Sequence, residues 1–244
     1  MGIKAESLVT VTYWWRASGL CKSAEAFGAL FKYLKFSEQN LFERHMNLST
    51  SNTTKNHAII AKFGGTSLAD FDAMSRCADV VLNDKNTRLV VVSASSGVTN
   101  LLVALSQGGL SNVERLDHIA KIQQIQQSIM AHLDLSDDVI ERINHLLVQM
   151  NDISLAVASA PSAALTDKLL SFGERLSSTL FTQVLLARGA QAMFFDVRDV
   201  MRTDSEHGKA MPLFTQIASL VEERLSPLLD NNIVVTQGFI GSDI

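Results

Sequence analysis

The residues best suited to chemistry begin with the segment Lys62-Phe63-Gly64-Gly65-Thr66-Ser67. It follows a short apolar run and precedes a helical pattern, so a cation, two residues without Cβ and a helix start come together. These parts suit a phosphate group, because glycine lets backbone N–H groups reach an anion and the helix start adds positive potential. The segment matches neither the P-loop nor G-x-G-x-x-G. A generic strand–turn–helix connection with a surface lysine explains the spacing equally well.

Two further segments offer groups that could hold a small substrate. Ser93-Ala94-Ser95-Ser96-Gly97-Val98-Thr99-Asn100 is a hydroxyl-rich turn that could bind a carboxylate, although helix caps are the commoner role of residues such as Thr99 and Asn100. In Ser171-Phe172-Gly173-Glu174-Arg175, a glycine inside a helical pattern costs about 1 kcal/mol relative to alanine and indicates a close backbone approach. Glu174 could receive an ammonium group, but a solvated helix glutamate is commoner.

Other candidate sites are weaker. Residues 196–203 carry several charges, which more often form a solvated loop or an ion-pair cluster than a site. The six histidines show no i, i+3 or i, i+4 pairing, so no metal site is expected. Neither a G-x-S-x-G motif nor a catalytic cysteine context occurs.

The elements that must position these segments follow from hydrophobic periodicity. Apolar runs predict strands over residues 58–62, 89–93, 192–195 and 233–236, and such continuous runs are typical of strands buried on both faces. Apolar residues three and four apart predict helices over residues 68–82, 100–105, 113–133, 137–151, 165–188 and 212–229. Ser67-x-x-Asp70 suits the first helix start, and Pro227 predicts a bend in the last helix.

Strands that alternate with long helices favour an α/β fold with a mainly parallel sheet covered on both faces. In open parallel sheets, ligands gather beyond the carboxyl ends of the strands. The segments that begin at Lys62 and Ser93 come directly at such ends. These loops are therefore where a site is expected.

The composition is that of an ordinary globular protein, with 47% apolar and 19% charged residues among 244. A formal net charge of −4 gives no electrostatic footprint for nucleic acid or an anionic membrane. No apolar run reaches the roughly 18 residues that a membrane-spanning helix needs. The two cysteines, Cys21 and Cys77, have no metal-type spacing, so a reducing, cytoplasmic location is expected.

The first 57 residues differ from the remainder, because they hold both tryptophans and both tyrosines of the chain. We therefore predict that residues 1–57 are an atypical N-terminal extension and linker, and that residues 58–244 form one domain. Apolar residues spaced along one helical face predict a short amphipathic helix over residues 24–36. Met46 precedes a Ser-, Thr- and Asn-rich linker at residues 47–56. Our hypothesis is that the functional protein begins at Met46.

Five segments, taken together, resemble the aspartate kinases in that family's order and spacing. They are Lys62-Phe63-Gly64-Gly65-Thr66-Ser67, Ser93 through Asn100, Leu165-Thr166-Asp167 through Gly173-Glu174, Phe195-Asp196-Val197-Arg198, and Thr236-Gln237-Gly238-Phe239-Ile240-Gly241. Each motif is weak by itself, but five in order over residues 58–242 make a specific match. The Ser-Ala-Ser-x-Gly-x-Thr-Asn form is most similar to the monofunctional, lysine-sensitive enzymes of the family.

The resemblance implies the amino-acid kinase fold, a three-layer αβα sandwich. It also implies transfer of the γ-phosphoryl group of MgATP to the β-carboxylate of L-aspartate, which gives 4-phospho-L-aspartate in the first step toward lysine, threonine and methionine. Lys62 would be catalytic and would neutralise charge on the moving phosphoryl group. The residues implied to contact the ATP phosphates are Lys62, Gly64, Gly65 and Thr66. Those implied to bind aspartate are Ser93, Thr99, Glu174 and Phe239.

The implied partners are ATP, Mg²⁺ held mainly through the nucleotide, and L-aspartate, in an enzyme that is a homodimer when complete. The sequence stops at Ile244, before the family's Gly-Arg-Gly-Gly-Ser-Asp segment, adenine-binding half and regulatory ACT domains. We therefore expect a sheet that is incomplete at its C-terminus and a chain that is inactive by itself. The alternatives are a catalytically inactive fragment that at most binds a partner subunit, and another amino-acid kinase, such as one that acts on acetylglutamate or carbamate.

Overall fold

A computed structural model describes residues 58–243 of the chain. The extension, with its predicted helix over residues 24–36, its linker and the hypothetical start at Met46, lies outside the described residues. The strands are β1 (Ile59–Phe63), β2 (Thr87–Val92), β3 (Ala192–Phe194) and β4 (Ile233–Gln237). The helices are α1 (Phe71–Asn83), α2 (Val98–Ser106), α3 (Asn112–Met130), α4 (Asp137–Ser159), α5 (Ala163–Ala187) and α6 (Phe214–Leu220). Within this part of the chain, no helix is both long and apolar enough to cross a bilayer.

The strands form one parallel sheet in the order β1-β2-β4-β3. The register pairs Phe63 with Val92, and Val92 with Gln237. The last residues of β1, β2 and β4 therefore lie side by side. As a consequence, the segments that follow these strands leave the sheet at neighbouring points, which is where a parallel sheet places its ligands.

The two faces of the sheet are covered by different elements. In β2, Val90 and Val92 belong to a core shared with α1 to α5, whereas Leu89 and Val91 belong to a second core shared with residues 195–201 and 217–225. This alternation follows from the two-residue period of a strand. It confirms the predicted three-layer α/β arrangement with a parallel sheet.

The prediction of strands buried on both faces is correct for β2 and β4 and wrong for the outer strands. Ile59 and Lys62 of β1 are exposed, and all of β3 is half-buried. The reason is topological, because β1 and β3 lie at the two edges of the described sheet. A run of apolar residues does not by itself tell a central strand from an edge strand.

Several helix ends also differ from expectation, and α4 extends to Ser159 rather than ending at residue 151. The side chain of Asp70, rather than that of Ser67, caps α1 by accepting a hydrogen bond from the Ala73 N–H at 2.7 Å. Helix α2 begins after Gly97, whose φ is 83°, so Thr99 and Asn100 lie inside its first turn and are not caps. The predicted helix over residues 212–229 is α-helical only in α6 and continues as a π turn and a 3-10 turn.

The buried face of helix α3 contains two polar side chains among apolar ones. Its buried positions are Arg115, Ile119, Ile122, Gln126 and Ile129, so a charged and an amide side chain replace apolar ones. Arg115 donates to Asn112, Asn151 and Ser154. Gln126 is 1% exposed, and both polar atoms of its side chain lack a hydrogen-bond partner within residues 58–243. A buried amide without partners opposes folding, because its hydration is lost without replacement.

Replacing Gln126 by methionine is therefore expected to raise the free energy of unfolding by about 1–2 kcal/mol, since an apolar side chain of similar length removes the unsatisfied groups. Urea denaturation followed by circular dichroism measures the change. Gln127→Met, at an exposed position of the same helix, is the matched control and should change the unfolding free energy by less than about 0.5 kcal/mol. Destabilisation by Gln126→Met would show that the amide has a structural role.

Candidate functional site

The turn after β1 packs directly against the turn after β2. A Cβ on Gly65 would lie 2.9 Å from the backbone oxygen of Ala94, a distance that real Cβ atoms do not adopt, whereas a Cβ on Gly64 would meet open space. Glycine is therefore required by packing at position 65 and not at position 64. Because both residues are glycines, no side chain at positions 64 and 65 covers the backbone of this turn, as close approach of an anion requires.

Lys62 and Phe239 come together across the carboxyl ends of β1 and β4. The Nζ atom of Lys62 lies 4.8 Å from the centroid of the Phe239 ring, a cation–π distance. Although the residue as a whole is exposed, partial burial of its ammonium group lowers the pKa of Lys62. Phe239 has a φ of 63°, in the left-handed region that a bulky residue rarely adopts. Strained backbone of this kind is concentrated at functional sites.

Helix α5 approaches the same turn from the other side. A Cβ on Gly173 would lie 2.7 Å from the Cβ of Ala94, which confirms the close approach predicted for this glycine. The next residue, Glu174, is half-buried. Burial raises the pKa of Glu174 to about 7, while hydrogen bonds from the backbone N–H groups of Glu174 and Ala94 act in the opposite direction. Glu174 is therefore not a solvated helix glutamate.

A buried polar network holds the strand ends against α5. Ser177 Oγ donates to the backbone oxygen of Ser93 at 2.7 Å. The side chain of Gln237 donates to Ser178 Oγ at 2.9 Å and accepts from the Val197 N–H at 2.8 Å. Neither Ser177 nor Gln237 was predicted from the sequence to have a role. The available signal was a glutamine that ends an otherwise apolar strand and therefore needs buried partners.

The remaining residues predicted from the sequence are either exposed or engaged in an ion pair. Thr66 and Thr99 are exposed, and their hydroxyls form no hydrogen bond with any other residue in the described range. Asp196 accepts hydrogen bonds from Arg198 Nε at 2.8 Å and from Arg198 Nη2 at 2.6 Å. This carboxylate therefore belongs to an ion pair, which is the commoner role that the sequence predicted for residues 196–203. The structure thus brings together Lys62 of β1, Glu174 of α5 and the turns that hold Gly65, Ser93 and Phe239.

In a comparison with known protein families, the amino acid kinase family matches residues 57–244 of the chain. The chain belongs to the amino acid kinase family. It is 49% identical to lysine-sensitive aspartokinase 3 of Escherichia coli over 185 residues, which are 76% of this chain and 41% of that protein. The resemblance found in the sequence motifs is confirmed.

Solved structures agree with this membership. The crystal structure of E. coli aspartokinase III in complex with aspartate and ADP matches this chain with a TM-score of 0.74 and 48% identity, over 77% of this chain and 42% of that one. The aspartate kinase of Clostridium acetobutylicum shares the fold at 20% identity and a TM-score of 0.57, over 77% of this chain and 40% of that one. The chain spans about two fifths of the length of these relatives.

The two glycines of the first turn are expected to respond differently to substitution. Gly65→Ala forces the Ala94 backbone to move and should lower the free energy of unfolding by about 1–3 kcal/mol. Gly64→Ala is the matched control and should change it by less than about 0.5 kcal/mol, because its Cβ enters open space. Denaturant titration of both variants tests this difference, and equal effects would contradict the packing described.

Glu174 is expected to make stability depend on pH. Its pKa is about 7 in the folded chain and 4.5 as an isolated group, so the folded state binds the proton more tightly. The contribution of Glu174 to stability is fully present below pH 4.5 and is lost as pH rises toward 7. Glu174→Gln should remove this loss, which is on the order of 3 kcal/mol. The test is the difference in unfolding free energy between variant and wild type from pH 4 to 8, and a difference that is constant over this range would disprove the pKa shift.

Proposed function

We propose that the chain carries the aspartate-binding and phosphate-binding part of an aspartate kinase, which transfers the γ-phosphoryl group of MgATP to the β-carboxylate of L-aspartate. One observation carries the proposal. A half-buried carboxylate, Glu174, and a glycine turn that admits an anion, at Gly65, contact the same residue, Ala94. A small ligand between them would meet one group that attracts an ammonium and another that attracts phosphate.

The phosphate side of the proposed site consists of the turn after β1. Lys62 supplies a full positive charge beside this turn, and Gly64, Gly65 and Thr66 supply backbone N–H groups. Phosphoryl transfer depends on alignment and on stabilisation of charge more than on covalent help from the protein. Mg²⁺ would arrive on the nucleotide and neutralise part of the phosphate charge. The residues present fit such a ligand, because Lys62 supplies positive charge and the space beside Gly64 is open, so an anion has room to approach the turn.

The aspartate side consists of the turn after β2 and the middle of α5. In the proposal, the Glu174 carboxylate receives the substrate ammonium, and the hydroxyls of Ser93 and Thr99 hold its carboxylates. Phe239 closes the site beside Lys62. Ser177 and Gln237 are positioning residues, since they fix Ser93 and the end of β4 without facing the ligand themselves.

The proposed reaction needs no general base from the protein. The β-carboxylate of aspartate, with an ordinary pKa of about 3.9, is ionised at neutral pH and is itself the nucleophile. A carboxylate oxygen forms a bond to the γ-phosphorus, the bond from that phosphorus to the bridging oxygen breaks, and ADP leaves with the electron pair. The product is an acyl phosphate. Lys62 would stabilise the negative charge that spreads over the transferred oxygens.

We also propose domain boundaries, an oligomeric state and a cellular location for the protein. Residues 58–244 would be the N-terminal part of the kinase domain, and residues 1–57 an extension. The complete enzyme would be a cytoplasmic homodimer, with Cys77 buried and reduced. Free, buried Cys77 is compatible with a reducing compartment.

A chimera tests the activity directly. Residues 58–243 replace the matching segment of E. coli lysine-sensitive aspartokinase 3, and aspartyl phosphate is trapped with hydroxylamine. The chimera is expected to form hydroxamate from aspartate and MgATP. Lys62→Met should lower kcat by about 10³-fold or more, because it removes charge stabilisation at the phosphoryl group. Glu174→Gln should mainly raise the KM for aspartate, by about tenfold or more, because it removes the ammonium contact.

Lys168→Met provides the control, because Lys168 is an exposed lysine of α5 and its replacement should leave kcat and KM within about twofold. A folded chimera that is inactive with every substrate would favour the alternative of an inactive fragment. Phosphorylation of acetylglutamate or carbamate instead of aspartate would favour another amino-acid kinase. Normal turnover by the Lys62→Met chimera would require the phosphate assignment to be abandoned.

A further inference from the structure

A cavity of about 410 Å³ opens between α4, α5 and the end of β3. Its charged lining includes two guanidinium groups, Arg142 and Arg175, and two carboxylates on α4, Asp138 and Glu141. None of the residues assigned above to aspartate or to phosphate lines it. Its volume is within the range of small-molecule sites in proteins, about 300–1,000 Å³.

The two guanidinium groups lie against aromatic rings. Arg142 lies 5.2 Å from the Phe194 ring centroid, and Arg175 lies 5.0 Å from that of Phe172. Among residues 58–243, neither arginine forms an ion pair. The planar fork of an arginine matches a carboxylate with two parallel hydrogen bonds. Both side chains therefore keep the capacity to bind an oxyanion.

The charge of Arg175 is incompletely compensated. Asp196 lines the same cavity, but its carboxylate is already held by Arg198 through two hydrogen bonds. Burial, with a further contribution from the nearby Arg198 charge, lowers the pKa of Arg175 to about 10, and Asp196 offsets this only in part. An anion in the cavity would relieve this unfavourable electrostatic environment.

A simple anion does not match the whole cavity. Asp138 and Glu141 are exposed carboxylates on α4 and form no ion pair in the described range. They would repel a second anion and attract a cation. The other titratable group, His145, lies within hydrogen-bond distance of Gln149. The complementary ligand therefore carries one negative and one positive group.

The cavity is separate from the proposed aspartate site and is connected to it. Arg175 follows Glu174 on α5, and successive helical side chains point about 100° apart. The two residues thus face different sides of the same helix turn. Asp196 lies directly before Val197, whose N–H donates to Gln237 near the end of β4. A ligand in the cavity would therefore contact elements that also hold the aspartate site.

We propose that this cavity binds a small zwitterion, an amino acid with free ammonium and carboxylate groups. Its carboxylate pairs with Arg142 and Arg175, and its ammonium faces Asp138 and Glu141. The side chain lies toward the neutral groups of Gln149 and Thr179, which also line the cavity. The proposal does not depend on the phosphoryl-transfer activity.

Isothermal titration calorimetry of the full 244-residue chain tests it, with Glu174→Gln as background so that the proposed aspartate site does not contribute. The probe is L-glutamine, whose neutral polar side chain suits the lining. N-acetyl-L-glutamine lacks the ammonium, and L-glutamine amide lacks the free carboxylate. Each of these two ligands is expected to bind at least tenfold more weakly than L-glutamine.

Variants locate the binding. Arg142→Gln should raise the Kd for L-glutamine at least tenfold, and Asp138→Asn with Glu141→Gln should raise it about threefold or more. Arg76→Gln, an exposed arginine of α1 outside the cavity, is the control and should leave the Kd unchanged. Arg142 is exposed, so its replacement is expected to fold, and circular dichroism verifies this.

Three results would overturn the proposal. The first is the absence of any binding of L-glutamine up to the highest concentration that the titration allows. The second is N-acetyl-L-glutamine or inorganic phosphate binding as tightly as L-glutamine, which would indicate a site for oxyanions alone. The third is an unchanged Kd in the folded Arg142→Gln variant.

Discussion

The close contact of Ala94 with two glycines is the constraint on which the rest of the site depends. Gly173 of α5 approaches the side chain of Ala94, and Gly65 approaches its backbone oxygen. Ala94 is itself 3% exposed. The turn after β2 is therefore packed between a helix and the turn after β1. Because a protein interior is close-packed, a methyl group added at either glycine must displace backbone, and the groups on these turns then lose their relative positions.

Hydrogen bonds add to this packing, and among residues 58–243 the core contains two buried glutamine side chains, one with hydrogen-bond partners and one without. Gln237 is fully buried and bonded on both sides of its amide, to Ser178 and to Val197. Gln126 is equally buried and has no partner within residues 58–243. A satisfied buried amide fixes the direction of the strands and turns that it joins. An unsatisfied one adds only a desolvation penalty.

Much of the fold could be predicted from the sequence, because it rests on periodicities of a few residues. Apolar runs and helical spacing located the four β-strands and six α-helices of the described chain, but not the 3-10 turns Gly65–Leu68 and Val197–Asp199. A glycine inside a helix indicated the close approach at Gly173. Edge position could not be predicted, since it depends on pairing between β1 and β2 rather than on β1 alone. The cap at Gly97 was missed because its positive φ is a property of the folded turn.

The site could be predicted only in part, and Glu174 shows the physical reason. Its sequence context is that of any helix glutamate, whereas burial raises its pKa to about 7. That burial comes from the glycine contact beside it, which joins segments about 80 residues apart. A carboxyl group that packing holds near its neutral form opposes folding at high pH and gains most from a ligand cation, which restores its charge. The same contact that reduces stability therefore prepares the proposed site for the ammonium group of aspartate.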